Sequence, residues 1–579
     1  MSTIGYFTFV LHSHLPYVLS HGRWPHGMDW LNEAAAETYI PLLEALQRLA
    51  DENLEVKITI GITPILAEQL RDRAFVYEFN SYLKNKIEAS EKDILQFEKT
   101  NEQHMAELAG MWLDYYRRIH LLFSDRYDED IVGAFAELQR KGIVEVITCA
   151  ATHGYLPLLG YDRAVKAQVK MGIESYKRNF GCRPHGIWLP ECAYRPAYDW
   201  RPPVEAADAS PMNVPRAGVE QVLAENDIEY FVVDSHLLEG GKAIGAYIDR
   251  FDALKRLWAQ MERSTEIEGS PKSPYGVYGV ASHEGQRDIC SVLVRDPKTG
   301  LQVWSGEHGY PGDGNYLDFH KKHFPSGNRY WKVTSPKADL ADKLPYYADD
   351  TEGRLQENAD HFVSMVHDVL RQNYEATGKP GLLCAPYDTE LFGHWWFEGP
   401  RWIEKVLRGL AKSSEVKLTT GHEYIQANPP QQVVRLPEGS WGEGGFHFIW
   451  LNEWTDWTWK HIYAAESKMI DLAGRFAESG DNDLIRVLKQ AAKELLLLES
   501  SDWQFLISTW AARDYAEMRL VEHQSDFNRL AGLVERLGNG EKLDDGDWLF
   551  IENCEERDNP FSDIDPSWWC DATTAEQPR

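Results

Sequence analysis

Short runs of β-branched and aromatic residues recur along the chain between longer stretches with helical periodicity. The runs cover residues 6–11, 56–60, 143–149, 186–189, 230–233, 291–294, 381–385 and 416–419. Strands that alternate with helices pair in parallel, and several of these runs are apolar almost throughout, as expected for strands covered on both faces. The pattern predicts an α/β fold built from βαβ units.

Two long stretches interrupt this alternation. Residues from about 66 to 140 are charged, have helical periodicity and are too long for an ordinary strand-to-strand connection, which predicts a helical insertion. Residues from about 239 to 285 contain Gly, Ser and Pro and are long enough to form a lid loop over a site. Tyr275 or Tyr278 is the predicted tip of this lid.

The pattern changes again after residue 425. A linker rich in Pro and Gly follows, and the segments beyond it have the apolar density of bundle helices. We therefore expect a barrel-type domain over residues 1–425, a helical domain over 426–555 and a tail over 556–579.

Composition excludes several classes of partner. The 579 residues carry a formal net charge of −30 without a long acidic or basic block, which argues against nucleic acid or an anionic membrane as the partner. No segment approaches the roughly 18–20 apolar residues of a membrane span, and the first residues lack the features of a secretory signal. The 7 cysteines form no C-x-x-C pair, which favours reduced thiols. We expect a cytoplasmic protein.

Polar residues capable of chemistry follow six of the predicted strands. In chain order they are His12 and His14, Thr63, His153, Glu191, Asp234 and His236, and Asp388. Because the carboxyl ends of parallel strands in a barrel meet on one face, where such folds place their active sites, we expect these side chains to converge. The alternative is that polar residues simply mark where strands end.

Two of these residues are acids with an unusual placement. Glu191 and Asp388 each follow an apolar run and a proline, in "WLPE" and "CAPYD". Burying a carboxylate there is costly unless it is hydrogen-bonded or used. Two carboxyl groups about 5–5.5 Å apart, a nucleophile and an acid/base, suit glycosidic cleavage with retention of configuration. Structural capping or a salt bridge would also explain such a pair. The 21 Trp and 27 Tyr favour a carbohydrate ligand.

Five segments together resemble the ordered motif regions of glycoside hydrolase family 57. They are "FVLHSHLPY", "GITP", "GIWLPECAY", "APYDTELFGHWWFEGPRW" and "LLLLESSDWQFLIST". Two further segments, "QVWSGEHGYPGDGNYLDFHKKH" and "SWGEGGFHFIWLNEWTDWTWKHIY", resemble the 1,4-α-glucan branching enzymes of that family. The resemblance implies an incomplete (β/α)7 barrel with a helical insertion and an all-helical C-terminal domain.

The resemblance also implies roles for individual residues. Glu191 would be the nucleophile and Asp388 the general acid/base of a branching reaction that cleaves an α-1,4-glucan, such as amylose or a glycogen-like polysaccharide, and transfers the chain to a 6-hydroxyl. No metal or other cofactor is expected. The residues that would bind the glucan are His12, His14, Trp30, His153, Trp304, Trp441, Trp450, Asp502 and Trp503.

Other functions remain open at this point. An α-amylase or a 4-α-glucanotransferase of the same family would use the same two acids. A metal-dependent amidohydrolase could ligate zinc through His12, His14, Glu191, His236 and Asp388. A glucan-binding protein without catalysis is a further alternative. Nucleotide-sugar chemistry is disfavoured, because neither G-x-G-x-x-G after a strand nor a G-x-x-x-x-G-K-[ST] loop is present.

Overall fold

Seven parallel strands form the centre of the molecule. The computed structural model describes residues 3–205, 214–239, 272–305 and 309–570. Its strands are β1 (Gly5–Ser13), β2 (Ile58–Ile62), β3 (Val144–Cys149), β4 (Gly186–Trp188), β5 (Tyr198–Trp200), β6 (Val214–Arg216), β7 (Tyr230–Val233), β8 (Tyr278–Val280), β9 (Cys290–Val294), β10 (Gly381–Asp388), β11 (Val416–Leu418) and β12 (Val433–Val434). Strands β10, β1, β2, β3, β4, β7 and β9 lie side by side in parallel.

The sheet curls until its two ends touch. Arg295, directly after β9, forms an isolated parallel bridge with Cys384 of β10, and the Asp296 N–H donates to the Cys384 carbonyl at 3.0 Å. On the outer side of β9, β8 pairs antiparallel and β12 then pairs with β8. This arrangement confirms the incomplete (β/α)7 barrel that the sequence predicts. Because β12 belongs to the same sheet, the sheet extends past the expected boundary at residue 425.

Side chains fill the interior of the curled sheet. Val10, Ile147, Trp188, Val232 and Leu293, from five different strands, belong to one buried cluster. The strands are buried on both faces, because helices cover the outside and these residues cover the inside. The strand ends are therefore the part of the barrel left to form a site.

Helices surround the sheet and form a second layer at the C-terminal side. They are α1 (Met28–Ala34), α2 (Ile40–Asp51), α3 (Pro64–Arg71), α4 (Arg73–Lys99), α5 (Gln103–Leu121), α6 (Ile131–Arg140), α7 (Asp162–Phe180), α8 (Val219–Glu225), α9 (His236–Glu239), α10 (Pro297–Trp304), α11 (Ala348–Thr377), α12 (Gly399–Ala411), α13 (Gly421–Ala427), α14 (Asp456–Phe476), α15 (Asn482–Leu498), α16 (Asp502–Thr509), α17 (Arg513–Gly538) and α18 (Asp545–Arg557). Within the described ranges, none of the helices has the length and hydropathy that crossing a bilayer requires.

The predicted helical insertion is present between β2 and β3. Its long helices α4 and α5 follow one another with a short connection at residues 100–102. Trp112 of α5 donates its indole N–H to the Arg329 carbonyl at 2.6 Å, and the Tyr115 hydroxyl donates to the Ala36 carbonyl at 2.8 Å. The insertion is thus fixed against the barrel loops.

The two tyrosines predicted at the tip of a lid are in the sheet layer instead. Tyr278 lies in β8, is 8% exposed and donates its hydroxyl to the Ser273 carbonyl at 2.9 Å. Tyr275 donates its hydroxyl to Asp296, and its carbonyl accepts the Leu382 N–H at the start of β10. The tip assignment is wrong for both residues, because their polar groups anchor the edge of the barrel. Of the lid predicted over residues 239–285, residues 240–271 lie outside the described residues.

Buried polar contacts attach the C-terminal helices to the first loop of the barrel. The Asp558 carboxylate, which is 0% exposed, accepts from His21 Nε2 at 2.6 Å and from Arg557 Nε at 2.8 Å. Arg519 of α17 donates to the Tyr17 carbonyl at 2.7 Å. Burial alone would raise the pKa of Asp558, but His21 and the neighbouring cations hold it well below its usual range. The ionised carboxylate is therefore a fixed part of the interface.

Replacing Asp558 should loosen this interface. Asp558→Ala leaves His21 and Arg557 without their shared carboxylate, and we expect a loss of about 3–5 kcal/mol in the free energy of unfolding. Urea unfolding followed by circular dichroism measures it. Lys92→Ala, which removes an exposed i,i+4 pair with Glu88, is the control and should cost less than about 1 kcal/mol. Equal losses in the two variants would contradict the interpretation of the interface.

Candidate active site

Glu191 follows β4 in a tight turn with a backbone conformation that is rare outside glycine. Its φ and ψ are 61° and 25°, and Cys192 also has a positive φ of 49°. Two hydrogen bonds close the turn, from the Cys192 N–H to the Leu189 carbonyl at 2.8 Å and from the Ala193 N–H to the Pro190 carbonyl at 3.0 Å. A left-handed non-glycine residue costs on the order of 1–3 kcal/mol. The turn therefore holds the glutamate in one strained position.

The Glu191 carboxyl is enclosed and has one strong donor. Trp441 Nε1 donates to Glu191 Oε2 at 2.7 Å, and the Trp441 backbone N–H donates to the Glu191 carbonyl at 3.0 Å. Burial, together with the negative charges of Asp388 and Asp502, raises the pKa of Glu191 to about 8, although the Trp441 hydrogen bond acts in the opposite direction. Glu191 therefore has both a strained backbone conformation and an environment that disfavours its ionised form.

Asp388 is the last residue of β10 and stands opposite His12 in the register of β1 and β10. Its negative charge raises the pKa of Glu191 and also that of Glu390. Because β4 and β10 run parallel in one sheet, the two acids at their carboxyl ends lie on the same face of the barrel, and each is within range of the other's charge.

Three histidines form a stacked group beside these acids. His12 and His153 share a hydrogen bond between their Nε2 atoms at 3.0 Å, and His153 Nδ1 pairs with the Ser501 hydroxyl at 2.8 Å. The His14 and His153 rings stack at 4.0 Å, and His12 stacks on Trp188 at 4.7 Å. Burial lowers the pKa of His12 and His153 well below its usual value, so both rings are neutral near pH 7.

Asp502, at the start of α16, brings the helical domain into the site. Its Oδ2 lies 2.9 Å from His14 Nε2 and accepts from the Ser500 hydroxyl at 2.6 Å, while His14 Nδ1 pairs with the Thr63 hydroxyl at 3.1 Å. Burial would raise the pKa of Asp502, yet His14 and His153 lower it overall. The helical domain therefore supplies an ionised side chain to the barrel face, as the fifth motif predicts.

The predicted tryptophans fall into two groups. Trp441 contacts Glu191, and Trp304 lies behind it, with ring centroids 6.4 Å from both Trp441 and Tyr387. Trp30 is partly buried at the junction of the two domains, where it packs against His26 and Tyr515. Trp304 is 2% exposed, so of these three Trp441 and Trp30 are the ones with partly exposed rings.

Trp450 and Trp503 do not have an exposed ring face. Trp450 is 1% exposed and stacks on Tyr155 at 4.5 Å, and a Cβ added to Gly442 would come within 2.6 Å of its ring. Trp503 is 0% exposed and donates its indole N–H to the Leu497 carbonyl. Both rings are buried in the packing behind the site, so the expectation that they contact sugar is wrong.

Sequence reasoning missed a second buried acid next to Asp388. Glu390 Oε1 accepts from the Tyr39 hydroxyl at 2.5 Å and from the His14 backbone N–H at 3.1 Å. Burial and the charge of Asp388 raise the pKa of Glu390 to about 8, against the hydrogen bond from Tyr39. Glu390 lies inside the quoted motif and could have been found there. Ser501 lies inside the fifth motif and could have been found in the same way. Tyr39, at the end of a π-helical turn at Ala35–Tyr39, gave no comparable signal.

The zinc set of the amidohydrolase alternative is not assembled. Among the described residues, the groupings of three side chains close enough to share a cation include His12 with Cys149 and His153, and His14 with His153 and Asp502; none contains Glu191, His236 or Asp388. His236 instead pairs with the Gly445 carbonyl at 3.1 Å. The donors needed for that alternative are therefore engaged elsewhere.

The raised pKa of Glu191 predicts a pH-dependent gain in stability on its removal. A glutamate in an unfolded chain titrates near about 4.3, so between about pH 4 and pH 8 the folded state keeps a proton that the unfolded state releases. Stability therefore falls as pH rises through this window. Glu191→Gln removes the effect while its amide oxygen can still accept from Trp441.

We expect Glu191→Gln to stabilise the protein by on the order of 1–3 kcal/mol above pH 8 and by little near pH 4.5. Thermal melts at both pH values measure the difference, and Glu88→Gln on the exposed side of α4 is the control. Identical melting curves of the variant and the unchanged protein at pH 8.5 would show that Glu191 is not strained electrostatically.

Comparison with known proteins agrees with this geometry. A 1,4-α-glucan branching enzyme of Thermococcus kodakarensis is 43% identical over 561 residues, which cover 97% of this chain and 78% of the relative. The crystal structure of a branching enzyme from Pyrococcus horikoshii has a TM-score of 0.86 at 39% identity, covering 100% of this chain and 98% of that one. The α-amylase AmyC of Thermotoga maritima has a TM-score of 0.79 at 27% identity, covering 98% and 99%.

Two family models cover most of the chain. The model of the 1,4-alpha-glucan branching enzyme C-terminal domain matches residues 461–569, which include α15 to α18 and the site residue Asp502. The model of glycosyl hydrolase family 57 matches residues 8–437, which run from within β1 to the end of β12 and include both acids. The chain belongs to glycosyl hydrolase family 57.

Proposed function

We propose that this protein is a 1,4-α-glucan branching enzyme that works by retaining double displacement. The observation that carries the proposal is the pair of acids at one barrel face, with Glu191 strained in its turn and under the charge of Asp388. Strain and a perturbed pKa in one residue mark functional sites. The relatives named as branching enzymes support the choice of reaction.

In the first half of the reaction, Asp388 protonates the departing O4 of an α-1,4 linkage while Glu191 attacks the anomeric carbon. The C1–O4 bond breaks, and a covalent glycosyl–Glu191 bond forms. In the second half, Asp388 takes the proton of an acceptor 6-hydroxyl, and that oxygen displaces Glu191 from C1. Two inversions leave an α-1,6 branch.

Without substrate, the raised pKa of Glu191 leaves a proton on this residue near pH 7, whereas cleavage requires a proton on Asp388. The first step therefore includes movement of that proton from Glu191 to Asp388. Protonation of Asp388 removes its repulsion from Glu191, and the Trp441 N–H stabilises the ionised nucleophile. Transfer of the proton and activation of the nucleophile are thus coupled.

The remaining residues position the glucan. We propose that the group of His12, His14 and His153 lies against the sugar at the cleavage point, and that Trp441 and Trp30 present ring faces to the chain. Trp304 packs behind Trp441, and Asp502 holds His14 in place. Trp450 packs against Gly442, the residue after Trp441. The substrate is a neutral α-1,4-glucan such as amylose or a glycogen-like polysaccharide, with no nucleic-acid or membrane partner.

We also propose a cytoplasmic location. None of the seven cysteines, all in the described part of the chain, forms a disulfide, and reduced thiols suit a cytosolic environment.

An α-amylase of the same family is the second candidate, because AmyC shares the fold over almost its full length. The two functions differ only in whether an acceptor hydroxyl or water attacks the intermediate.

Incubation with linear amylose should separate these functions. We expect loss of iodine staining with few new reducing ends, and debranching should release chains shorter than the starting amylose, because each transfer creates an α-1,6 linkage. EDTA-treated enzyme should behave identically. New reducing ends in proportion to the cleaved bonds, with no product sensitive to debranching, would reject branching in favour of hydrolysis.

The two acids should differ in their rescue by azide. Glu191→Ala and Asp388→Ala should each lower turnover by at least about 10³-fold. Azide can replace the missing nucleophile by direct attack, giving a β-glycosyl azide with Glu191→Ala. With Asp388→Ala it attacks the covalent intermediate and gives an α-glycosyl azide. The opposite pairing of products, identified by NMR, would reverse the assigned roles.

A further inference from the structure

The helix that carries Asp502 into the site has a partly exposed apolar face. Along α16, Asp502, Phe505 and Leu506 are intermediate in exposure, and the residues between and after them to Thr509 are buried. Positions separated by three and four residues lie on one side of a helix. A surface track therefore runs from the site along α16, over a length of about 12 Å for its 8 residues.

The track ends at Trp510. This residue is 56% exposed and adopts a left-handed backbone with φ of 59°. A bulky residue in this conformation is a genuine outlier that costs free energy. A large apolar ring thus points outward where the helix ends, at a cost in free energy. Glycine would end the helix without this cost.

Neighbouring side chains fix the ring of Trp510. Trp454 packs edge-to-face against it with centroids 5.6 Å apart, and the Arg513 guanidinium lies 5.1 Å from its centroid. Glu517 accepts from Arg513 Nε at 2.7 Å, so the charge of the arginine is balanced. We call Trp454, Trp510 and Arg513 the aromatic corner. It presents aromatic ring faces beside a guanidinium that is paired with Glu517.

The aromatic corner also borders the barrel. Tyr515, two residues beyond Arg513 in α17, packs against Trp30 with ring centroids 5.9 Å apart, and its hydroxyl donates to the His21 carbonyl. Trp510 and Trp30 therefore flank the same helix end at the domain junction. An extended ligand leaving the site along α16 would meet this junction.

We propose that the aromatic corner is a distal subsite for an α-1,4-glucan chain that extends out of the active site along α16. Sugar rings present apolar faces that stack on tryptophan and hydroxyl edges that bond to guanidinium and indole N–H groups. Continuity with Asp502 along one side of α16 favours the substrate itself as the ligand. The proposal rests on the function proposed above.

The experiment measures binding without turnover. In the Glu191→Gln background, retardation in native gels containing amylose reports the dissociation constant. We expect Trp510→Ala to weaken amylose binding roughly three- to tenfold, the range of one aromatic stacking contact. Trp510→Phe should keep most of the affinity, because the ring face remains. Tyr77→Ala removes an aromatic ring that is 74% exposed on α4 and is the matched control.

Kinetics in the active background give a second readout. Trp510→Ala should raise KM for long amylose three- to tenfold with kcat unchanged. It should leave kcat/KM unchanged for maltotriose, which places at most two sugars on either side of the cleaved bond and so does not reach along α16. Equal retardation with and without Trp510 would overturn the subsite while leaving the proposed function intact. Absence of any amylose binding in the Glu191→Gln background would overturn both. A dimer in sedimentation that Trp510→Ala dissociates, with glucan binding unchanged, would reassign the corner to a second copy of the chain.

Discussion

The contact between His14 and Asp502 joins the end of the first barrel strand to the start of a helix from the other domain. It also sets the charge around the nucleophile, because Asp502 adds to the negative field that raises the pKa of Glu191, while His14 lowers the pKa of Asp502. An unpaired carboxylate here would be costly to bury. The His14–Asp502 contact therefore both docks the helical domain on the barrel and sets the electrostatic environment of Glu191.

The site is held in conformations that the chain would avoid elsewhere. Glu191 and His153 both have φ of 61°, and neither is glycine. Their neighbours compensate, since Trp441 pairs with the Glu191 carboxyl and Ser501 pairs with the His153 ring. Strained positions persist only where the surroundings fix them from several sides. The buried Trp450 and Trp503 serve this purpose, because they leave the loops around the site no room to relax.

The barrel strands and the two acids could be predicted from the sequence, because apolar runs and the polar residues after them are local signals. All eight predicted runs are strands, whereas β5, β6, β8 and β12 have two or three residues each and no periodicity to detect. Whether a tryptophan ring faces a ligand or packs in the core depends on tertiary contacts. The motif wording around Trp450 and Trp503 does not contain those contacts, and the expectation for these two residues is wrong for that reason. The glycine-rich segment around Tyr275 and Tyr278 has no strand periodicity, so the sequence does not predict the short strand β8. Tyr39 meets Glu390 only through the fold.

The arrangement of the site along the chain has a consequence for its biosynthesis. The ribosome delivers the barrel first, with both acids complete once residue 388 has emerged, yet Ser501 and Asp502 follow more than a hundred residues later. Domains fold in order as they are made. A nascent barrel therefore has its two acids but lacks the partners that orient His153 and His14 until the helical segment has been translated.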